Sequence, residues 1–131
     1  MATFRRFDEI GAWQKARVLT KVVYELSGRG LFAKDFALRD QIRRAAISIM
    51  ANIAEGFERD GTGEFVQFLA IAKGSSAEVL SHAYVAFDQG LMTKNEFDEL
   101  VLKTGEVGRM IAALMAYLRK SRTRGLKFKA V

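Results

Sequence analysis

Four long stretches of this sequence carry apolar residues at three- and four-residue spacing, and no proline interrupts any of them. Residues three and four apart share one face of a helix, so the spacing predicts amphipathic helices. Proline would delete a backbone hydrogen bond and clash with the preceding turn, and its absence leaves long helices free to run. No segment alternates with the period of two that a half-buried strand requires. The expected fold class is all-α.

The first helix is predicted over residues 8–27, with Asp8 as its N-cap. Gln14, Arg17, Lys21 and Glu25 form one narrow polar stripe. Ile10, Trp13, Ala16, Leu19, Val22, Val23 and Leu26 cover most of the remainder, a wider apolar arc than a surface helix of a monomer needs. Gly28-Arg29-Gly30 ends it with a glycine at positive φ, and a loop leads to Asp35, the expected cap of a second helix running to about residue 57. The centre of that helix, AAISIMANIA, is apolar nearly all round and is expected to be the most buried part of the chain. Arg59-Asp60-Gly61-Thr62-Gly63 reads as a turn, with Thr62 capping a third helix over residues 63–89. Gly74-Ser75-Ser76 inside it is read as a close helix contact. Gly90 closes the third helix. Thr93-x-x-Glu96 is a capping box that opens the fourth, which keeps one apolar face to about residue 119 and sets Glu99 against Lys103. Connections this short make neighbours antiparallel. The expectation is an antiparallel up-down-up-down four-helix bundle over residues 1–119, with a basic tail over 120–131. Apolar residues and glycine together exceed the about 45–50% of an ordinary domain, which favours a homo-oligomer.

The charge is unevenly placed. Arg119, Lys120, Arg122, Arg124, Lys127 and Lys129 stand together with no acid among them, and they account for the whole formal charge of +6. Such a segment is the usual footprint of attraction to phosphates. Arg39, Arg43 and Arg44 make a second basic cluster at the start of the second helix. Phe4-Arg5-Arg6-Phe7 and Lys127-Phe128-Lys129 interleave rings with cations as single-strand binders do, although Phe7 also suits a hydrophobic staple. These patterns point to nucleic acid as the partner, with a solvated terminus that aids solubility, or a scaffold for a protein, as the alternatives. The longest uncharged run, Ala45–Ala54, falls short of the ~18 residues of a membrane span. The first residues, MATFRRFDEI, hold no apolar signal region, and Asp8-Glu9 follow Arg5-Arg6 where a twin-arginine signal needs apolar residues. The expected location is the cytoplasm, with no membrane partner.

Candidate chemistry is sparse. There is no cysteine, which excludes disulfides and thiolate sites. Arg44, Ser48, Asn52, Glu55 and Arg59 share one face of the second helix, either as a polar pocket or as a hydrogen-bonded seam. The seam is the expectation, with Glu55 paired to an arginine. Ser75, Glu78 and His82 share a face of the third helix, but a chain with one histidine supplies too few ligands for a bundle-core metal site. Neither Ser75 nor Ser76, with His82, has a nucleophile elbow, and the glycines at 28–30 and 61–63 match no phosphate loop. The chain is expected to be non-enzymatic, without metal or cofactor.

The strings WQKA, QIRRAAISIMANIAEGF and EFVQFLAIAKGSSAEV resemble the 23S rRNA intervening-sequence protein family. This is the "four helix bundle protein" group, related to accessory proteins of diversity-generating retroelements. The resemblance covers roughly residues 7–118. Where the family pattern usually carries proline, in SIP-x-NIAEG, this chain has Met50, which removes a kink from the second helix. The resemblance implies a homopentamer of antiparallel bundles and points towards RNA or ribonucleoprotein partners.

Overall fold

The computed structural model describes residues 4–123, the last two as backbone. Among these residues there is no strand. A 3-10 turn at Phe7–Glu9 precedes five helices: α1 (Gly11–Ser27), α2 (Gly30–Lys34), α3 (Phe36–Glu58), α4 (Thr62–Asp88) and α5 (Lys94–Thr123). Helix α2 stands where the sequence suggests a loop. Helix α5 runs on past residue 119, and Ser121 is buried near its end.

Local chemistry sets most of the boundaries. The Asp35 carboxylate accepts the Leu38 N–H at 3.1 Å and starts α3 as its spacing predicts. The capping box is reciprocal: Thr93 N–H donates to Glu96 Oε1 at 2.9 Å, and Glu96 N–H donates to Thr93 Oγ1 at 3.1 Å. At the end of α4, Leu91 N–H reaches back to the Ala86 carbonyl and Gly90 N–H to that of Phe87. This double closure needs a left-handed residue at 90, and Gly90 supplies it at φ 72°.

Two caps differ from expectation. Helix α1 begins at Gly11, because Asp8 is drawn to the Arg6 guanidinium at 3.1 Å and sits within the 3-10 turn. Thr62 is the first helical residue of α4, not its cap; Gly61 takes the extended cap conformation and Thr62 is buried. After α1 the positive φ expected within Gly28-Arg29-Gly30 falls at Gly30, at φ 55°.

The four long helices contribute to one core. Leu19 and Val23 from α1, Ile42, Ile49 and Ile53 from α3, Phe65 and Leu69 from α4, and Leu100, Ile111 and Leu118 from α5 are almost wholly excluded from solvent. Each such side chain gains about 1.5–3 kcal/mol from burial. Helix α3 packs on α1 and α4, and α5 packs on α4 and α1. Thr20 of α1 meets Ala46 and Met50 of α3, Ser76 of α4 donates to the Thr104 carbonyl of α5, and Lys15 of α1 lies 3.6 Å from Glu106 of α5.

The close contact expected at Gly74-Ser75-Ser76 is made by the two serines, to Ser48 of α3 and to Thr104 of α5, and not by the glycine. Gly74 faces open space, whereas Ser75 and Ser76 are buried and Gly56 of α3 is pressed against Phe65 and Phe68 of α4. Nor is the centre of α3 buried all round. Ile47 is 46% exposed, and Ala51 also faces outward. One side of α3 meets the core and the other does not, which composition alone cannot distinguish.

Candidate nucleic-acid interface

The basic residues singled out from the sequence divide into three groups. Arg119 and Lys120 are exposed on the last turns of α5, and Arg122 follows on the same helix. Arg124, Lys127 and Lys129 lie outside the described residues. Arg39 and Arg43 are half-buried and already hold partners. Arg39 donates to Asp40 Oδ1 and to the Ala33 carbonyl, each at 3.1 Å, with its guanidinium 4.9 Å from the Phe36 ring centroid. It therefore fastens the corner between α2 and α3. Arg43 donates to Ser27 Oγ at 2.8 Å and to the Tyr24 carbonyl, and lies 4.3 Å from the Tyr24 ring centroid. A cation there satisfies carbonyls at the C-terminal end of α1 and opposes its dipole.

The polar stripe of α3 splits in two. Ser48 Oγ meets Ser75 Oγ at 2.8 Å across the α3–α4 contact, and Asn52 Nδ2 donates to the Ser48 carbonyl at 2.8 Å and to Ser48 Oγ at 3.0 Å. Both residues are half-buried. Arg44 and Glu55 are exposed instead. Glu55 accepts from Arg59 at 2.9 Å, and Arg59 also covers the Phe68 ring at 4.9 Å. Glu55 does pair with an arginine, but one turn along its own helix and in solvent, where such a pair contributes little.

Two acidic groups have shifted titration. The Thr93 N–H holds the Glu96 carboxyl below its ordinary range, with Arg29 at 2.7 Å adding to the effect against partial burial. The hydrogen bond from Arg6 lowers Asp8 in the same way. His82 has its Nε2 buried without a hydrogen-bond partner. Among the described residues no three histidine, cysteine, aspartate or glutamate side chains gather as metal ligands would, and no helix is long and apolar enough to cross a membrane.

Sequence reasoning missed Arg17 and Lys21 as surface cations that hold no ion-pair partner among the described residues. In the sequence these two are visible only as part of a polar stripe, whereas Arg44 stands both in the second basic cluster and in line with the seam. The rings beside them, exposed Tyr24 and half-buried Trp13, carry no sequence signal that separates them from core.

The fold has solved counterparts. It is similar to a crystal structure of a protein of unknown function from the S23 ribosomal protein family of Bacteroides thetaiotaomicron, with a TM-score of 0.73 and 19% identity, covering 79% of this chain and 97% of that one. No curated protein matches the chain. The sequence itself matches the 23S rRNA-intervening sequence proteins over residues 8–113, most of its length, and the chain belongs to that family.

Proposed function

We propose that this chain is a non-enzymatic helical-bundle protein that assembles with copies of itself and binds RNA through its basic C-terminal segment. The observation that carries the reading is the placement of charge. The chain holds 21 lysines and arginines against 15 acids, and the six cations from Arg119 to Lys129 make up the entire excess. Cations of this kind neutralise phosphates and carry no base-edge code, so binding is largely sequence-independent. Arg39 and Arg43 assist only as far as their internal partners release them. The family name, which refers to sequences within ribosomal RNA, agrees with an RNA partner.

The pairing of helices supports an up-down-up-down order. Partner positions rise along one helix as they fall along the next: Thr20 with Ala46 and Ser27 with Arg43, Ser48 with Ser75 and Phe57 with Phe65, Ser76 with Thr104 and Tyr84 with Phe97. A homopentamer in the cytoplasm completes the reading. Fivefold assembly multiplies the C-terminal cations and converts a weak single attachment into an avid one.

A scaffold for a protein partner is the second reading. It is favoured by a groove of about 450 Å³ between α4 and α5, floored by Leu80, Val101 and Gly105, beside a 72% exposed Leu102.

The test is fluorescence anisotropy of a labelled structured RNA with the full chain and with a chain ending at residue 123, over several salt concentrations. Removing Arg124, Lys127 and Lys129 is expected to reduce the salt slope by about 0.7–0.9 for each phosphate that is no longer neutralised. Absence of binding by the full chain at low salt overturns the RNA reading and leaves the scaffold.

A further inference from the structure

We propose that the folded body carries a nucleic-acid site of its own, a track of cations and aromatic rings along the outer face of α1 that binds single-stranded polynucleotide. The proposal rests on the RNA reading above and adds a binding region separate from the C-terminal segment.

Trp13, Arg17, Lys21 and Tyr24 follow one another at spacings of four, four and three, which places them in one stripe on α1. The stripe extends roughly 17 Å at 1.5 Å per residue. Two consecutive hollows lie along it. The first, of about 440 Å³, is lined by Trp13, Gln14, Arg17, Val18 and Lys21, with Asp8 at its edge. The second, of about 340 Å³, is lined by Tyr24 of α1 and by Asp40, Arg43, Arg44 and Ile47 of α3.

Charge complementarity favours a polyanion. Asp8 is engaged by Arg6 at 3.1 Å, and Asp40 by Arg39 at 3.1 Å. Each acid that borders a hollow is thus offset by a cation of its own. Arg17, Lys21 and Arg44 have no hydrogen bond or ion pair among the described residues. Glu25 lies one turn beyond Lys21, and Glu78 of α4 shares a small hollow with Arg44, but neither forms an ion pair among the described residues. Among the described residues, then, these three exposed cations form no ion pair, with Arg43 fixed on the Tyr24 ring beside Arg44.

The rings select the strand state. Tyr24 is 41% exposed, held from one side by Arg43, and Trp13 is half-buried, packed edge-on against Phe7 with centroids 5.2 Å apart. A single strand offers phosphates and free base faces together, and aromatic side chains hold such bases by stacking. A duplex keeps its base faces stacked inside and offers the rings nothing. An acidic peptide supplies the charge without the regular π faces.

Trp13 is the only tryptophan in the chain, so its emission reports the first hollow directly. The full chain would be titrated with a single-stranded RNA of about 12 nucleotides, with a duplex of the same length, and with poly-glutamate. Binding would be followed by Trp13 fluorescence and, independently, by anisotropy of a labelled RNA. The expected result is a saturable change in Trp13 emission with the single strand. Affinity should fall about tenfold or more in the Arg17→Gln/Lys21→Gln/Arg44→Gln variant, with a salt slope smaller by about 2. Tyr24→Leu should weaken binding about fivefold or more. Glutamine keeps helix propensity near that of the residues it replaces, so the triple variant should retain the fold.

If RNA binds with Trp13 silent and the triple variant unchanged, the track is wrong while the C-terminal reading survives. If nothing binds, both readings fall. An equal response to the duplex overturns the selection of single strands. An equal response to poly-glutamate reassigns the face to an acidic protein.

Discussion

Gly56 and Gly74 both lie inside long helices, yet only one has to be glycine. A Cβ at position 56 would stand 2.6 Å from the Phe68 Cβ and 2.9 Å from a ring carbon of buried Phe65. Neither atom is the free end of a flexible chain, so Gly56→Ala should cost about 1–3 kcal/mol, read as a lower urea midpoint. A Cβ at 74 meets nothing within 4 Å. Gly74→Ala should stabilise by about 0.5–1 kcal/mol. A decrease there would mean that another surface covers this side of α4. Glu96 gives a pH prediction. Its carboxyl titrates below its ordinary range when folded, so the unfolded chain binds the proton more readily. The contribution to stability is present above the ordinary glutamate range and is lost as the pH falls through the lowered folded value. Glu96→Gln should lower the melting temperature at neutral pH and flatten its decline in acid, checked by melts between about pH 3 and 7. The Thr93–Glu96 box was legible because both partners lie within one turn. The fate of Arg44 was not, because it depends on where α1 and α4 lie.

At the scale of elements, the reading of four long helices holds, and the differences gather at their ends. Asp35 caps as its spacing implies, and Asp35→Ala should cost about 1 kcal/mol in chemical denaturation. Asp8 does not cap, since Arg6 competes for its carboxylate from two residues away. Helix α2 is invisible in the sequence because five residues are too few to show a period, and its one buried ring, Phe32, is recognisable only against the finished core. The last helix runs further than its apolar face suggests. Ser121 is buried, so ending the chain after residue 118 should reduce helicity and melting temperature, whereas ending it at residue 123 should change neither. Circular dichroism of the two truncations distinguishes them.

For the whole molecule, apolar side chains remain outside as well as inside. Ile47 on α3, Ile71 on α4 and Leu102 on α5 face solvent in the single chain. A surface of this kind suits assembly. Light scattering in solution should give a mass several times 14.7 kDa, with fivefold the expected multiple. A monomer at tens of micromolar would reject the oligomer and, with it, the avidity assigned to the C-terminal cations. The charge of the candidate site was legible from the sequence, because a run of cations needs no fold to be counted. The α1 track was not, because Tyr24 of α1 meets Arg43 and Arg44 of α3 only when the two helices pack.

The sequence by itself determined the all-helical class, the four long helices, the Asp35 and Thr93–Glu96 caps, the Gly90 closure and the site of the charge excess. All of these depend on residues within a few positions of one another, whose spacing is the same before and after folding. Tertiary structure alone decided which side of α3 is buried, which glycine is pressed by a neighbouring helix, and which arginines keep their charge for solvent. Arg43 reaches Ser27, Ser48 reaches Ser75, and Gly56 meets Phe68 across turns or helix contacts that periodicity does not specify. Burial and pairing belong to the partner as much as to the residue, and the partner is known only once the helices have packed.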